Sequence, residues 1–195
     1  MSAVGRVASG LLVAALLGGC TSDARPAPGP EFHGSGFAAC PAPAAAAPAT
    51  AARGDTLPAE PLTCMDGSGT QMRLDRPLGV PMVVNLWAPW CGPCARELPA
   101  FQRLYADAAG KVLVLGVVTD ADAAQSVAAA KDIPLRFPGV YDRRRVVLRA
   151  LHRSALPVTV LVGADGTVRQ VYKGGVLTDA MLRDLVRANL GVDVR

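Results

Sequence analysis

The stretch Val83-Val84-Asn85-Leu86-Trp87-Ala88-Pro89-Trp90-Cys91-Gly92-Pro93-Cys94 decides the fold of this 195-residue chain. Its first half belongs to Pro81–Trp87, a continuous apolar run that is typical of a strand buried on both faces of a sheet. Its second half leads into Pro93–Ala108, which carries apolar residues at helical spacing, and proline suits the first turn of a helix. Two cysteines therefore stand where a buried strand gives way to a helix.

This placement favours thiol–disulfide chemistry. Two cysteines three residues apart on the first turn of a helix can close a small, reversible disulfide. Cys91 would lie at the helix N-terminus, where unpaired N–H groups and the helix dipole favour the thiolate that attacks in disulfide exchange. Cys94, one turn further in, suits the resolving role. Gly92 would let another backbone come close, and Trp90 would shield one flank of the sulfurs.

A Cys-X-X-Cys pair also occurs in zinc sites and in haem attachment sites. Zinc would need two more ligands, and the chain offers only His33 and His152 and no second Cys-X-X-Cys. Haem attachment would need a histidine directly after Cys94, where Ala95 stands. The strand–motif–helix context therefore favours a redox site, and we expect neither a metal nor an organic cofactor.

The regions on both sides of the motif predict an α/β domain with a mixed central sheet flanked by helices. Short strands are expected at Leu62–Met65 and Gln71–Leu74, before the motif. The elements expected after it are a buried strand at Lys111–Val118, helices at Ala121–Lys131 and Arg144–Leu151, a hairpin of Pro157–Val162 and Thr167–Tyr172, and a helix from Thr178 to about Leu190.

The N-terminus predicts export. Arg6 precedes an apolar stretch that is too short to span a bilayer and that ends in Leu17-Gly18-Gly19-Cys20. A leucine three positions before a cysteine, with two glycines between them, resembles the bacterial lipoprotein box. That resemblance implies a signal peptide over residues 1–19 and a lipid on Cys20. The alternative is a plain secretory signal that leaves Cys20 removed or free.

Residues 20–61 are rich in Ala, Pro, Gly and Ser and show no apolar periodicity. We therefore expect a tether over 20–61 and the folded domain over 62–195. With Cys20 lipidated, Cys40 and Cys64 remain beside the motif cysteines, and export would place them where disulfides persist. The favoured interpretation is a structural disulfide worth about 2–4 kcal/mol. A relay pair and two free thiols are the alternatives.

The charge distribution gives no support for nucleic-acid binding. The net charge is +4, and the basic residues are scattered except for Arg143-Arg144-Arg145. No basic stripe with interleaved aromatic residues occurs. We interpret the three arginines as a solvated helix start, and contact with an acidic partner or with lipid headgroups is the less favoured alternative.

From Val83 through Cys94-Ala95-Arg96-Glu97-Leu98-Pro99, the sequence resembles the TlpA/ResA branch of the thioredoxin superfamily. The resemblance covers roughly Leu62–Val192. It implies a thioredoxin-like fold with an N-terminal extension and an inserted helix around Ala121–Lys131. It also implies a domain tethered to the outer face of the cytoplasmic membrane that exchanges or reduces disulfides of exported proteins, including apocytochrome c. A CcdA/DsbD-like membrane protein would supply the electrons.

Three residues match this branch individually. Pro157 resembles the cis-proline that faces the disulfide and would turn the Leu156 backbone toward a substrate, with an ordinary trans-proline as the alternative. Gly175 resembles the small residue that lines the substrate groove, unless it is a simple loop glycine. Glu97 resembles an acidic residue expected to relay protons and tune the thiol pKa values, unless it is a solvated helix carboxylate.

Asn85 departs from thioredoxin, which has a buried aspartate there, and agrees with the branch. A neutral amide cannot accept the proton of Cys94, so the base would be Glu97, water or the substrate thiol. The Gly92-Pro93 dipeptide is shared with the reducing thioredoxin and favours a reductase. A disulfide-donating oxidase is the alternative, a peroxidase is less favoured, and a redox-inert peptide-binding module is the non-enzyme alternative.

Overall fold

The computed structural model describes residues 32–42, 55–119 and 121–194. The predicted signal peptide and Cys20 lie outside these ranges. None of the helices within them is long and apolar enough to cross a membrane. The strands are β1 Leu62–Cys64, β2 Gln71–Met72, β3 Met82–Trp87, β4 Leu113–Thr119, β5 Gly139–Asp142, β6 Val158–Val162 and β7 Val168–Tyr172, and the helices are α1 Gly92–Ala108, α2 Ala123–Asp132, α3 Val146–Ala150 and α4 Asp179–Leu190.

The strands form one mixed sheet in the order β2-β1-β5-β4-β3-β6-β7. The central pairs β3–β4 and β4–β5 are parallel, and the remaining pairs are antiparallel. All six residues of β3 are buried, as expected for a strand with neighbours on both sides and covered faces. The prediction of an α/β fold with a mixed central sheet is confirmed.

Helices cover both faces of the sheet. On one face, Leu98 and Phe101 of α1 and Leu182 of α4 enter a core that also contains both motif cysteines. On the other face, Val147 and Leu148 of α3 pack into a second core. The alternation of strand side chains between these cores explains why the central strands are apolar throughout.

The sequence pattern predicted no strand between α2 and α3, and this was wrong. Gly139–Asp142 forms β5, which pairs in parallel with β4 and antiparallel with β1. This strand has four residues, and Pro138 and Gly139 interrupt the apolar pattern where it begins. So short a run carries no readable periodicity. Pairing with its two neighbours determines the strand.

Residues 32–42 pack against the domain, whereas the sequence predicted a tether over 20–61. Phe32 is 2% exposed, and its ring meets that of Tyr141 edge to face at 5.3 Å between centroids. Phe37 is buried in the same core and meets Phe137 at 6.5 Å. These two aromatic side chains hold the segment because each buries a large apolar surface.

Residues 55–61 also belong to the folded unit. Leu57 is buried in the second core, and Thr56 forms an isolated antiparallel bridge with Thr167. The Val168 N–H donates to the Asp55 carbonyl at 2.8 Å. The structured part of the chain therefore begins before the predicted boundary at residue 62.

Candidate active site

Cys91 and Cys94 form a disulfide at the start of α1, with their Cα atoms 5.3 Å apart. Cys91 is the N-cap of this helix, and its Sγ accepts a hydrogen bond from the Cys94 N–H at 3.2 Å. Cys94 is fully buried, whereas Cys91 keeps a small exposed fraction of 4%. When the disulfide opens, the helix N-terminus favours a thiolate at Cys91, the more accessible of the two sulfurs.

The chain leaves room in front of this disulfide. Trp90 is 60% exposed, so its indole projects largely into solvent. A Cβ added at Gly92 would meet no atom within 4 Å, and Pro93 occupies the first turn of the helix. A second polypeptide can therefore approach Gly92 without displacing a side chain of the described structure.

The start of β6 lies beside the motif. Leu86 pairs with Val158, and continuing this register places Pro157 opposite Trp87, at the end of β3. The Leu156–Pro157 peptide bond is cis. Leu156 packs against the core that contains both motif cysteines. The fold thus brings Leu156 and Pro157 to the edge of the sheet where the motif begins.

Glu97 is buried in α1, at 1% exposure. Its Oε1 accepts a hydrogen bond from Asn85 Nδ2 at 2.6 Å, and its Oε2 accepts one from the Leu177 N–H at 3.1 Å. Burial raises the pKa of Glu97, and the two hydrogen bonds oppose that shift. A solvated helix carboxylate does not describe this residue. Glu97 instead joins α1 to β3 and to the loop before α4.

The hydrogen bond from the Leu177 N–H to Glu97 was not predicted from the sequence. The sequence did carry a signal for the burial of Glu97. Cys94, Leu98 and Phe101 belong to the apolar stripe of α1, and Glu97 lies three residues after Cys94 and four before Phe101, on the same stripe. A carboxylate on such a stripe must find donors inside the protein. Asn85 Oδ1, by contrast, has no hydrogen-bond partner among the described residues.

Gly175 lies in the loop that Leu177 anchors. Its backbone has a φ of +92°, a conformation that favours glycine, and a Cβ there would meet nothing within 4 Å. This conformation alone accounts for a glycine at this position. The surrounding open space leaves a groove role compatible with the structure.

The other two cysteines form a second disulfide. Cys40 and Cys64 are 24 residues apart in sequence, and their Cα atoms are 6.1 Å apart. Cys64 is fully buried in β1, and the half-buried Cys40 belongs to the packed segment 32–42. The Cys40 N–H also donates to Asp66 Oδ2 at 3.3 Å. The bridge thus links the N-terminal segment to the first strand.

Both histidines are exposed, His33 in the N-terminal segment and His152 after α3. Across residues 32–42, 55–119 and 121–194, no three His, Cys, Asp or Glu side chains come together in a group that could hold a metal ion.

Comparison with known proteins identifies relatives of the folded region. Residues 53–171 match the family described as "AhpC/TSA family". The thiol-disulfide oxidoreductase ResA of Geobacillus kaustophilus is 33% identical over 133 residues, which are 68% of this chain and 75% of that protein. ResA of Bacillus subtilis is 30% identical over 120 residues, which are 61% of this chain and 66% of that protein.

Solved structures agree on the fold. A secreted disulfide oxidoreductase of Mycobacterium tuberculosis, described as homologous to DsbE of E. coli, has a TM-score of 0.57 at 24% identity and covers 67% of this chain and 96% of its own. A putative thiol:disulfide interchange protein DsbE from Chlorobium tepidum has a TM-score of 0.62 at 24% identity, covering 71% of this chain and 97% of its own. The chain belongs to the AhpC/TSA family of thioredoxin-like proteins and is a thiol–disulfide oxidoreductase.

Proposed function

We propose that this chain reduces disulfides of exported proteins by dithiol–disulfide exchange at Cys91 and Cys94. The observation that supports this most strongly is the position of the disulfide, with the partly accessible Cys91 as N-cap of α1 and the buried Cys94 behind it. A sulfur at the N-cap lies next to the partial positive charge of the helix N-terminus. This charge stabilises the thiolate, which lowers the thiol pKa and provides the nucleophile at neutral pH.

The reaction has two exchange steps. The Cys91 thiolate attacks one sulfur of the substrate disulfide, which forms a mixed disulfide and releases the other substrate sulfur as a thiolate that takes up a proton. The Cys94 thiol then loses its proton and attacks Cys91 Sγ, which releases the second substrate thiol and leaves the Cys91–Cys94 disulfide. Two electrons pass to the substrate, and a dithiol donor must return them.

Glu97 is the proposed acceptor of the Cys94 proton. It lies three residues after Cys94 in α1, and both residues are buried. Asn85 and the Leu177 N–H each occupy one carboxylate oxygen and fix its orientation. Because burial raises the pKa of Glu97, its carboxylate is a stronger base than an exposed one and is better matched to a thiol.

The direction of transfer is tested by the reduction potential of the Cys91–Cys94 couple. The chain is equilibrated with thiol buffers, free thiols are trapped by alkylation, and a Cys40→Ala/Cys64→Ala variant isolates the couple. We expect a value near about −270 mV, which marks a reductase that needs a supply of electrons. A value near about −120 mV would identify a disulfide donor and overturn the proposed direction.

Turnover of insulin disulfides with dithiothreitol tests the proposed exchange steps at Cys91 and Cys94. The exchange steps above predict multiple turnovers per chain. A chain that binds the substrate without reducing it would instead be a peptide-binding module.

The proposed location at the membrane rests on the N-terminal motif that ends in Cys20. A lipid on Cys20 would hold the domain at the outer face of the cytoplasmic membrane, within reach of a CcdA/DsbD-like electron donor. Radiolabelled fatty acid should enter the wild-type chain and not Cys20→Ser. Equal labelling of both would contradict the anchor.

Apocytochrome c is the proposed substrate by family resemblance, since its Cys-X-X-Cys pair must be reduced before haem can be attached. Deleting the gene should lower the level of c-type cytochromes, and added dithiothreitol should restore it. Unchanged levels in the deletion strain would exclude this substrate and leave the exchange reaction itself intact.

A further inference from the structure

Several loops meet at the edge of the sheet that carries Cys91. Strands β3, β4 and β5 are parallel, so their C-terminal ends share one edge. Cys91 follows β3, and Arg143 follows β5, two strands away, or about 10 Å. Because β6 is antiparallel to β3, its start at Pro157 lies on the same edge. The segment from Arg143 to Pro157 therefore begins and ends at the edge that carries the disulfide.

Basic side chains dominate this edge. Arg143, Arg144 and Arg149 come from the segment just described, and Arg149 donates a hydrogen bond to the Arg144 carbonyl. Lys173 follows β7, whose last residue pairs with β6 near its start, and Arg96 lies two residues after Cys94. All five are exposed. We call Arg96, Arg143, Arg144, Arg149 and Lys173 the basic edge.

The acidic groups near the basic edge do not balance its charge. Glu97 is buried, and the buried Asp142 carboxylate accepts the Val146 and Val147 N–H groups at the start of α3. Asp122 is exposed but caps α2, where its carboxylate accepts two backbone N–H groups. Glu60 pairs with Arg144. The carboxylates of Asp122, Asp142 and Glu60 thus face five basic groups, which leaves an excess of two basic groups.

The face formed by α1 and α4 differs, because its arginines other than Arg96 each have an acidic partner. Arg103 pairs with Asp179 at 2.7 Å, and Arg183 pairs with Asp107 at 2.5 Å. Surplus positive charge is therefore a feature of the disulfide-bearing edge that the α1–α4 face lacks.

A small hollow lies in this edge. It encloses about 160 Å³ between the start of β1 and the end of β5, and Arg143 and Arg144 form one of its walls. Thr63, Tyr141 and Asp142 form part of another, and the Asp142 carboxylate is held by the two backbone N–H groups at the start of α3. A side-chain carboxylate fits such a space, and the planar guanidinium group of arginine matches a carboxylate with two parallel hydrogen bonds.

We propose that the basic edge binds an acidic segment that flanks the cysteine pair of the substrate protein. This inference rests on the proposed function and names its substrate class. A positive field around the disulfide would speed the encounter with such a protein and orient it toward Cys91. A membrane surface fits less well, because a bilayer seated on this edge would also cover Cys91.

The kinetic test uses two peptides that share one cystine pair, flanked by glutamates in one and by lysines in the other. The reduced chain should reduce the glutamate peptide about tenfold faster at low salt, and this preference should shrink as ionic strength rises. Arg143→Gln/Arg144→Gln/Arg149→Gln should abolish the preference. Equal rates with the wild-type chain would overturn the inference.

The matched control removes the same charge at the opposite edge of the sheet. Lys111, Lys131 and Arg169 are exposed there, and each lies near an end of a strand or helix that points away from the disulfide. Lys111→Gln/Lys131→Gln/Arg169→Gln should keep the peptide preference. Loss of the preference in this variant would show that net charge alone causes it, and would also overturn the inference.

A binding test separates this inference from the proposed function. Peptides with serines in place of both cysteines are titrated into the oxidised chain, and backbone amide signals are followed by NMR. The glutamate peptide should shift signals over residues 143–149, whether or not the chain reduces disulfides. No shift there, or a loss of anionic-vesicle binding as the only effect of the triple variant, would overturn the inference.

Discussion

The two disulfides of this chain differ in the length of the loop that they close and in their position in the fold. Cys91 and Cys94 are three residues apart at the start of one helix, at the edge of the sheet where loops meet. Cys40 and Cys64 are 24 residues apart and join a separate N-terminal segment to β1. In the chain-entropy model, the longer loop stabilises the fold by about 3–4 kcal/mol and the shorter one by about 2 kcal/mol.

This difference separates a bond suited to exchange from one suited to stability. Opening the short bridge frees little of the chain, because α1 and its packing hold both cysteines in place. Opening the long bridge removes the disulfide link of residues 32–42 to the sheet and leaves two buried phenylalanines and a few hydrogen bonds, such as that from the Ala38 N–H to the Arg136 carbonyl, to hold them. The comparison therefore predicts that activity depends on one bridge and stability on the other.

Cys91→Ser tests the activity half of the comparison and has the largest expected effect. Removing the attacking thiolate should lower the rate of insulin reduction by about 10³-fold or more. Cys94→Ser should instead accumulate a mixed disulfide with the substrate, visible by mass spectrometry. If Cys91→Ser kept its rate while Cys40→Ala/Cys64→Ala lost activity, the roles of the two bridges would be reversed.

Cys40→Ala/Cys64→Ala tests the stability half. We expect the free energy of unfolding to fall by about 2–4 kcal/mol in urea titrations. Hydrogen exchange should rise over residues 32–42, and insulin reduction should persist. Cys91→Ala/Cys94→Ala is the matched control, and it should cost less stability because its loop is shorter. An equal loss in both variants would remove the distinction.

Gly139→Ala asks whether packing contributes to holding the N-terminal segment. A Cβ at residue 139 would lie 2.8 Å from two ring atoms of Phe37, so the ring must move. We expect a loss of about 1–3 kcal/mol in the free energy of unfolding. In a Phe37→Ala background the same change should cost much less, because the clashing ring is gone. Equal costs in both backgrounds would show that the clash does not occur.

Glu97→Gln tests the Cys91–Cys94 bridge through the buried carboxylate beside it, and its expected effect on activity is the smallest of these. Removing the proposed base should slow exchange by about tenfold and flatten its pH–rate profile. Glutamine fits the site if the Asn85 amide turns, since Asn85 Oδ1 is unpaired and can accept its N–H. Asp107→Asn, at an exposed position in the last turn of α1, is the control and should leave the profile unchanged.

The same variant should change how stability depends on pH. Because the folded pKa of Glu97 is raised, its contribution to the free energy of unfolding is fully present below the unfolded pKa and is lost as pH rises through the folded value. Glu97→Gln lacks this loss, so it should gain stability relative to the wild type as pH rises through that range. Urea titrations of the oxidised chain at several pH values measure it, and parallel curves would contradict the raised pKa.

Local pattern was enough to predict most helices and strands. The expected strand Pro81–Trp87 and helix Pro93–Ala108 differ by one residue from β3 and α1. Thr178 caps α4 as expected, accepting a hydrogen bond from the Met181 N–H. These features are set by residues within a few positions of each other, so periodicity and capping chemistry predict them.

The elements that were not predicted depend on distant partners. The four-residue β5 has no clear pattern of its own and exists because β1 and β4 lie on either side of it. Phe32 and Phe37 stand in a segment whose composition suggests a tether, and only Tyr141 and Phe137, far along the chain, provide the core that buries them.

The sequence by itself determined that a buried strand delivers two cysteines to a helix start, because the apolar run, the motif and the proline are contiguous. Only the tertiary structure decided what surrounds them. Glu97 meets donors 12 and 80 positions away, and the strand order β5-β4-β3 brings Arg143 to the edge that carries Cys91. Such contacts follow from how strands pair across the sheet, which no local stretch of sequence specifies.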